Sequence, residues 1–138
     1  LEYVRTINEV QYINDSKATN INSVIVAINT YDQPIVLILG GFNKGANFRL
    51  LLPHIKSSHV RDIVSYGDAG GQINTALGDA VRSVQVTDLS SAVKKAQLMA
   101  APGDIVLLSP GCASYDEFSN FEERGNHFKS IIKNIAIS

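Results

Sequence analysis

Five short runs, largely apolar and β-branched, limit what this chain can fold into. They are QYIND (11–15), PIVLILGG (34–41), DIVSYG (62–67), RSVQVTD (82–88) and DIVLLSPG (104–111), each bounded by turn residues. A strand with one wet face alternates apolar with polar residues. A run that is apolar throughout must be covered on both faces. Between the runs the spacing becomes helical. In LSSAVKKAQLMA, residues Leu89, Ala92, Val93, Ala96, Met99 and Ala100 fall on one face behind Asp88 as a cap. Over 118–135 the stripe is Phe118, Phe121, Gly125, Phe128, Ile132 and Ile135, with both early phenylalanines expected in the core. Residues 22–30 read as a first helix, weakened by β-branching. Leu1–Asn8 and Val10–Asp15 read as an opening hairpin around Asn8–Glu9, and Pro53 leaves the boundary of a 48–57 helix open. The alternation predicts a Rossmann-like, doubly wound α/β fold: a mainly parallel sheet, helices on both faces and an opening β-hairpin.

A length of 138 residues suits one domain, 1–138, with its own core. The net charge of −1 leaves no nucleic-acid footprint. A single cysteine excludes an internal disulfide framework and suits a reducing compartment. No apolar run approaches the ~18 residues of a membrane span. The chain is expected to be monomeric. It enters an apolar pattern at Leu1 without Met, which reads as a domain of something longer.

In an open α/β sheet, ligands bind beyond the strand C-termini. The loops expected there are NDSKATN (14–20), GGFNKGANF (40–48), YGDAGG (66–71) and SPGCASYDEF (109–118). GGFNKG is not a P-loop, because Gly45 is followed by Ala46 and Asn47, and no G-x-G-x-x-G is present. Lys44 at its tip is either a solvated turn residue or an ammonium offered to a ligand. NDSKATN holds either helix caps at Thr19 or Asn20 or, together with Lys44, an anion site. Cys112 has no histidine at a nucleophile's spacing and reads as buried packing. Ser114 is outside any G-x-S-x-G elbow. Ser114 with Glu117 fits a capping box before Phe118, and such a helix N-terminus would also seat an anion. YGDAGG reads as strand-to-helix punctuation. No cluster has metal-ligand spacing.

YINDSKATN, LILGGFNKGANF and LLSPGCASYDEFSNFEERGNHF closely resemble the C-terminal domain of the Mur ligases, over essentially all 138 residues. The first and last blocks are similar to those of the D-glutamate-adding branch. The D-x-P-R signature of the diaminopimelate-adding relative is absent. The resemblance implies an ATP-dependent ligase of peptidoglycan synthesis. Its other domains would hold ATP, Mg²⁺ and UDP-N-acetylmuramoyl-L-alanine, and this one would bring D-glutamate to an acyl phosphate. Catalytic residues of its own are then not expected. Thr19 and Lys44 resemble the holders of the D-glutamate α-carboxylate. Ser114, Tyr115 and Phe121 resemble the seat of its side-chain carboxylate. Asp15, Lys17, Asn120 and Arg124 resemble positions on the nucleotide and interdomain side. Two departures stand out: Asn43 where an acid is commoner, and Tyr115 where an aliphatic residue is commoner. The alternatives are a free-standing anion- or nucleotide-binding module, or a related Mur or folylpolyglutamate-type domain adding another amino acid.

Overall fold

The computed structural model describes residues 1–136. Six strands form one sheet: β1 (Glu2–Ile7), β2 (Val10–Asn14), β3 (Ile35–Gly40), β4 (Val60–Tyr66), β5 (Arg82–Gln85) and β6 (Ile105–Gly111). The order is β1-β2-β6-β3-β4-β5. Only β1 is antiparallel, joined to β2 by the expected hairpin, with Asn8 and Glu9 at positive φ. The helices are α1 (Ile21–Ile28), α2 (Leu52–Ser57, after a 3-10 turn over Phe48–Leu51), α3 (Gly70–Leu77), α4 (Leu89–Met99) and α5 (Phe121–Lys133). None of them is long and apolar enough to cross a membrane.

The apolar runs are explained by the two cores. In β3, Ile35, Leu37 and Leu39 enter one core, and Val36 and Ile38 the other. In β6, Ile105 and Leu107 alternate in the same way with Val106 and Leu108. The period of two simply divides an all-apolar strand between two layers. Residues of α1, α2 and α3 fill the first core, and residues of α4 and α5 the second. Asp88 caps α4 as expected, accepting from Ser91 N at 2.8 Å, and Pro53 sits in the first turn of α2, where its missing N–H costs nothing.

Two expectations need correction. No helix begins at Ser114 or Phe118. The chain makes a turn there, with the Ser114 carbonyl accepting from Glu117 N (3.1 Å) and Phe118 N (2.8 Å). α5 starts at Phe121, because Asn120 accepts from Glu123 N at 2.8 Å and caps it. The capping box was a coincidence of spacing. Phe121, at the first helical position, is 39% exposed rather than core, whereas Phe118 packs partly buried against the second core.

The helix assignment places the ligand edge. The helices after β2 and β3 pack on one face, and the helix after β6 packs on the other. β6 lies between β2 and β3. Crevices therefore open on both sides of the loop leaving β6, at the switch point where such sheets bind ligands.

Candidate functional site

One crevice lies between the loops after β3 and β6. It is lined by Thr19, Asn20, Phe42, Lys44, Gly111 and Ala113, among others. The other lies between the loop after β2 and the start of α5, lined by Asn14, Asp15, Ser16, Lys17, Phe121 and Gly125, among others. The predicted residues divide accordingly. Thr19 and Lys44 share the first crevice, and Tyr115 joins them through its ring, 4.9 Å below the Lys44 ammonium. Phe121, expected beside the D-glutamate side chain, lies in the second crevice with Asp15 and Lys17.

Glycine lets the two loops beside the first crevice meet. Gly41 has φ of 124°, and a Cβ there would stand 2.4 Å from the Ala113 carbonyl oxygen. Without that Cβ, Phe42 N reaches the same carbonyl at 2.8 Å and zips the loops after β3 and β6 together. At the tip, Asn43 Oδ1 accepts from Gly45 N and Ala46 N, both at 2.9 Å. An aspartate could do the same, but Asn43 Nδ2 also donates to Gln72 Oε1, which an aspartate could not. Lys44 itself is exposed.

The loop after β6 is held from several sides. Cys112 is buried, and burial pushes its thiol up to about 12. It is a protonated packing group and no nucleophile at neutral pH. Ser114 is 2% exposed. Asp116 Oδ2 accepts from Asp68 N at 3.2 Å, tying the loop to the one after β4. Glu117 Oε1 accepts from Leu89 N at 3.0 Å, tying it to the start of α4. The sequence assigned Asp116 no role and gave Glu117 only that of a capping-box acid. The only signal available was their position in a predicted ligand loop, and their partners lie 48 and 28 residues away. Among the described residues the Tyr115 and Asp116 N–H groups have no acceptor, so the turn can offer backbone donors to an anion.

The remaining predicted residues have clear places. Asp15 is buried and accepts from Ser109 Oγ at 3.0 Å. Lys17 is exposed beside it. Asn120 is the cap of α5. Arg124, expected on the nucleotide side, is wholly buried and faces neither crevice. Among the described residues no group of three or more His, Cys, Asp and Glu could hold a metal ion. With no P-loop in the sequence either, the residues present do not fit a Mg²⁺-triphosphate.

Comparison with known proteins places this edge in a family. Residues 1–112 match the family described as Mur ligase, glutamate ligase domain. The UDP-N-acetylmuramoylalanine–D-glutamate ligase of Chlamydia caviae is 45% identical over 132 residues, covering 96% of this chain and 31% of that protein. Its namesake in Clostridioides difficile is 44% identical over 136 residues, covering 97% and 30%. The Salinibacter ruber protein of that name is 41% identical, covering 98% and 29%. The chain thus spans about a third of the length of these relatives. A solved domain from Haemophilus ducreyi, assigned to a UDP-N-acetylmuramate:L-alanyl-gamma-D-glutamyl-medo-diaminopimelate ligase, shares the fold. Its TM-score is 0.52 at 12% identity, covering 94% of this chain and 97% of that one.

Proposed function

We propose, from the premise that this chain belongs to the Mur ligase family through its glutamate ligase domain, that it is the amino-acid-binding part of a longer ligase. That ligase would join D-glutamate to UDP-N-acetylmuramoyl-L-alanine in the bacterial cytoplasm, at the expense of ATP. The observation that carries this reading is the crevice between β3 and β6. Lys44 and Thr19 line it together with Cys112 and Ala113, the buried Ser114 follows directly on those two, and the Tyr115 ring lies under the Lys44 ammonium.

D-glutamate has two carboxylates and one ammonium. The Lys44 ammonium and the Thr19 hydroxyl suit the α-carboxylate, because charge-assisted hydrogen bonds are the strong ones. The Ser114 hydroxyl and the backbone donors of the turn suit the side-chain carboxylate. Fixing both ends leaves the amine as the only free polar group and aims it outward. Such positioning turns a bimolecular attack into an effectively unimolecular one. With both carboxylates seated here, the activated acyl group has to be delivered from outside this chain. Phosphate and Mg²⁺ chemistry would therefore belong to other parts of the ligase, and Asp15 and Lys17, which line the second crevice, are the residues proposed for that side.

The reading is tested with the complete ligase, by measuring ATP-dependent amide formation with D-glutamate, L-glutamate, L-lysine and diaminopimelate. D-glutamate should be the preferred amino acid. A preference for any of the others would overturn the substrate assignment. This 138-residue chain alone should neither hydrolyse ATP nor form the amide.

A further inference from the structure

Arg124 is a buried cation of an unusual kind. It lies on α5 with no exposed surface. Its Nε donates to Ser16 Oγ at 2.9 Å, one terminal nitrogen to the Ser16 carbonyl at 2.7 Å and the other to the Cys112 carbonyl at 2.9 Å. Ser16 Oγ in turn donates a hydrogen bond to the Phe121 carbonyl at 2.7 Å. A Cβ on Gly41 would come 3.1 Å from the guanidinium. One side chain therefore bonds the loops after β2 and β6, beside a glycine of the loop after β3. None of its hydrogen-bond partners is a carboxylate.

Burying a cation without a directly bonded counter-charge is expensive, and an apolar residue in its place is often no less stable. Stability alone thus explains the arginine poorly. Geometry explains it better. The guanidinium is a rigid planar fork, so its acceptors are held in fixed relation to one another. Those acceptors belong to the two loops that carry Thr19 on one side and the Ser114–Tyr115 turn on the other.

We infer that Arg124 is a positioning residue. It locks the loops after β2 and β6 into one rigid body, and so sets the separation of the two carboxylate seats without touching the ligand. The inference rests on the D-glutamate reading above only for the identity of that ligand.

The test uses Arg124→Lys, which keeps the charge and loses the fork, and has two arms. In this 138-residue chain, exchange of the hydrogen-bonded amides of Asp15, Ser16, Ala18, Phe42 and Gly111 should speed up by about tenfold or more, with β4 unchanged, since local opening follows local contacts. In the complete ligase, KM for D-glutamate should rise by about tenfold or more, a loss near the ~1.4 kcal/mol that corresponds to a decade. The KM values for ATP and the UDP-sugar should stay within about twofold, as expected of a contribution specific to one substrate. If Arg124→Lys does not fold, Ser16→Ala reads the same link more gently, because it leaves both carbonyl contacts in place. The inference is overturned by exchange that is unchanged, or faster uniformly along the chain. A rise in KM for ATP alone would also overturn it, by placing Arg124 on the nucleotide. A wild-type enzyme that does not use D-glutamate would sink the substrate reading and leave the exchange arm standing.

Discussion

The loops after β3 and β6 face each other across one crevice, yet they are built in opposite ways. The loop after β6 is tied down along its length by Arg124, by Phe42 N, and by its own Asp116 and Glu117. The tip of the loop after β3 is held mainly through Asn43, and Gly45 has nothing within 4 Å of where a Cβ would be. Lys44 there rests over the Tyr115 ring. Under the function proposed above, the difference follows from what each side would offer. Backbone N–H groups bind an anion well only if they already point at it, so their loop must be rigid before the ligand arrives. An ammonium on a long stem can find its carboxylate afterwards, at a cost in side-chain entropy.

The sharpest way to break this comparison is to add one methyl group on each side. Gly41→Ala drives a Cβ into the Ala113 carbonyl at 2.4 Å and needs a backbone conformation that L-residues rarely adopt. It should cost roughly 3 kcal/mol. Gly45→Ala also carries a positive φ but meets no neighbour, so it should cost only about 1–2 kcal/mol. Urea denaturation of the two variants measures this, and equal losses would mean that the locked and open sides do not differ.

Lys44→Met should act on binding instead of stability. Losing a hydrogen bond to a charged group, roughly 1.5–3 kcal/mol, should raise KM for D-glutamate about 10- to 150-fold in the complete ligase. Stability should move by less than about 0.5 kcal/mol, since the side chain is exposed. Ser114→Ala should follow the same kinetic pattern more weakly, because the backbone donors of the turn remain. An unchanged KM for D-glutamate in Lys44→Met would return that lysine to the solvent.

Cys112→Ala tests the locked side from within. It should cost about 1–2 kcal/mol of stability and leave the kinetics alone. In the native protein the thiol, pushed up to about 12 by burial, is almost entirely protonated at pH 8. Its alkylation there should run roughly 10³-fold slower than that of a free cysteine. Rapid labelling of folded protein would show that the loop opens far more readily than its hydrogen bonds imply. The smallest effect belongs to Asn43→Asp. It keeps the acceptor for Gly45 N and Ala46 N and loses only the donor to Gln72. Stability should change by no more than about 0.5 kcal/mol, read by the same denaturation.

What the sequence determined by itself is the layered frame and the loops at its working edge. Hydrophobic periodicity is a local signal. An all-apolar strand such as PIVLILGG declares that both its faces are covered, and Asp88 declares the helix behind it. The resemblance of three loop blocks to Mur ligases added the identity of Thr19 and Lys44, and the structure sets both in one crevice. Only the tertiary structure decided which loops meet and what holds them. Ser114 and Glu117 have the spacing of a capping box, but Asn120 won the helix start, and Glu117 instead accepts from Leu89, a residue far away in sequence. Phe121 matched the apolar stripe, yet the first turn of α5 leaves it exposed beside Asp15. Arg124 reads in sequence like any charged helix residue. Its burial depends on acceptors contributed by Ser16 and Cys112, 108 and 12 residues away. Local pattern carries the period of burial. It carries no record of which distant carbonyls will surround a buried charge, because the folded sheet alone brings those groups together.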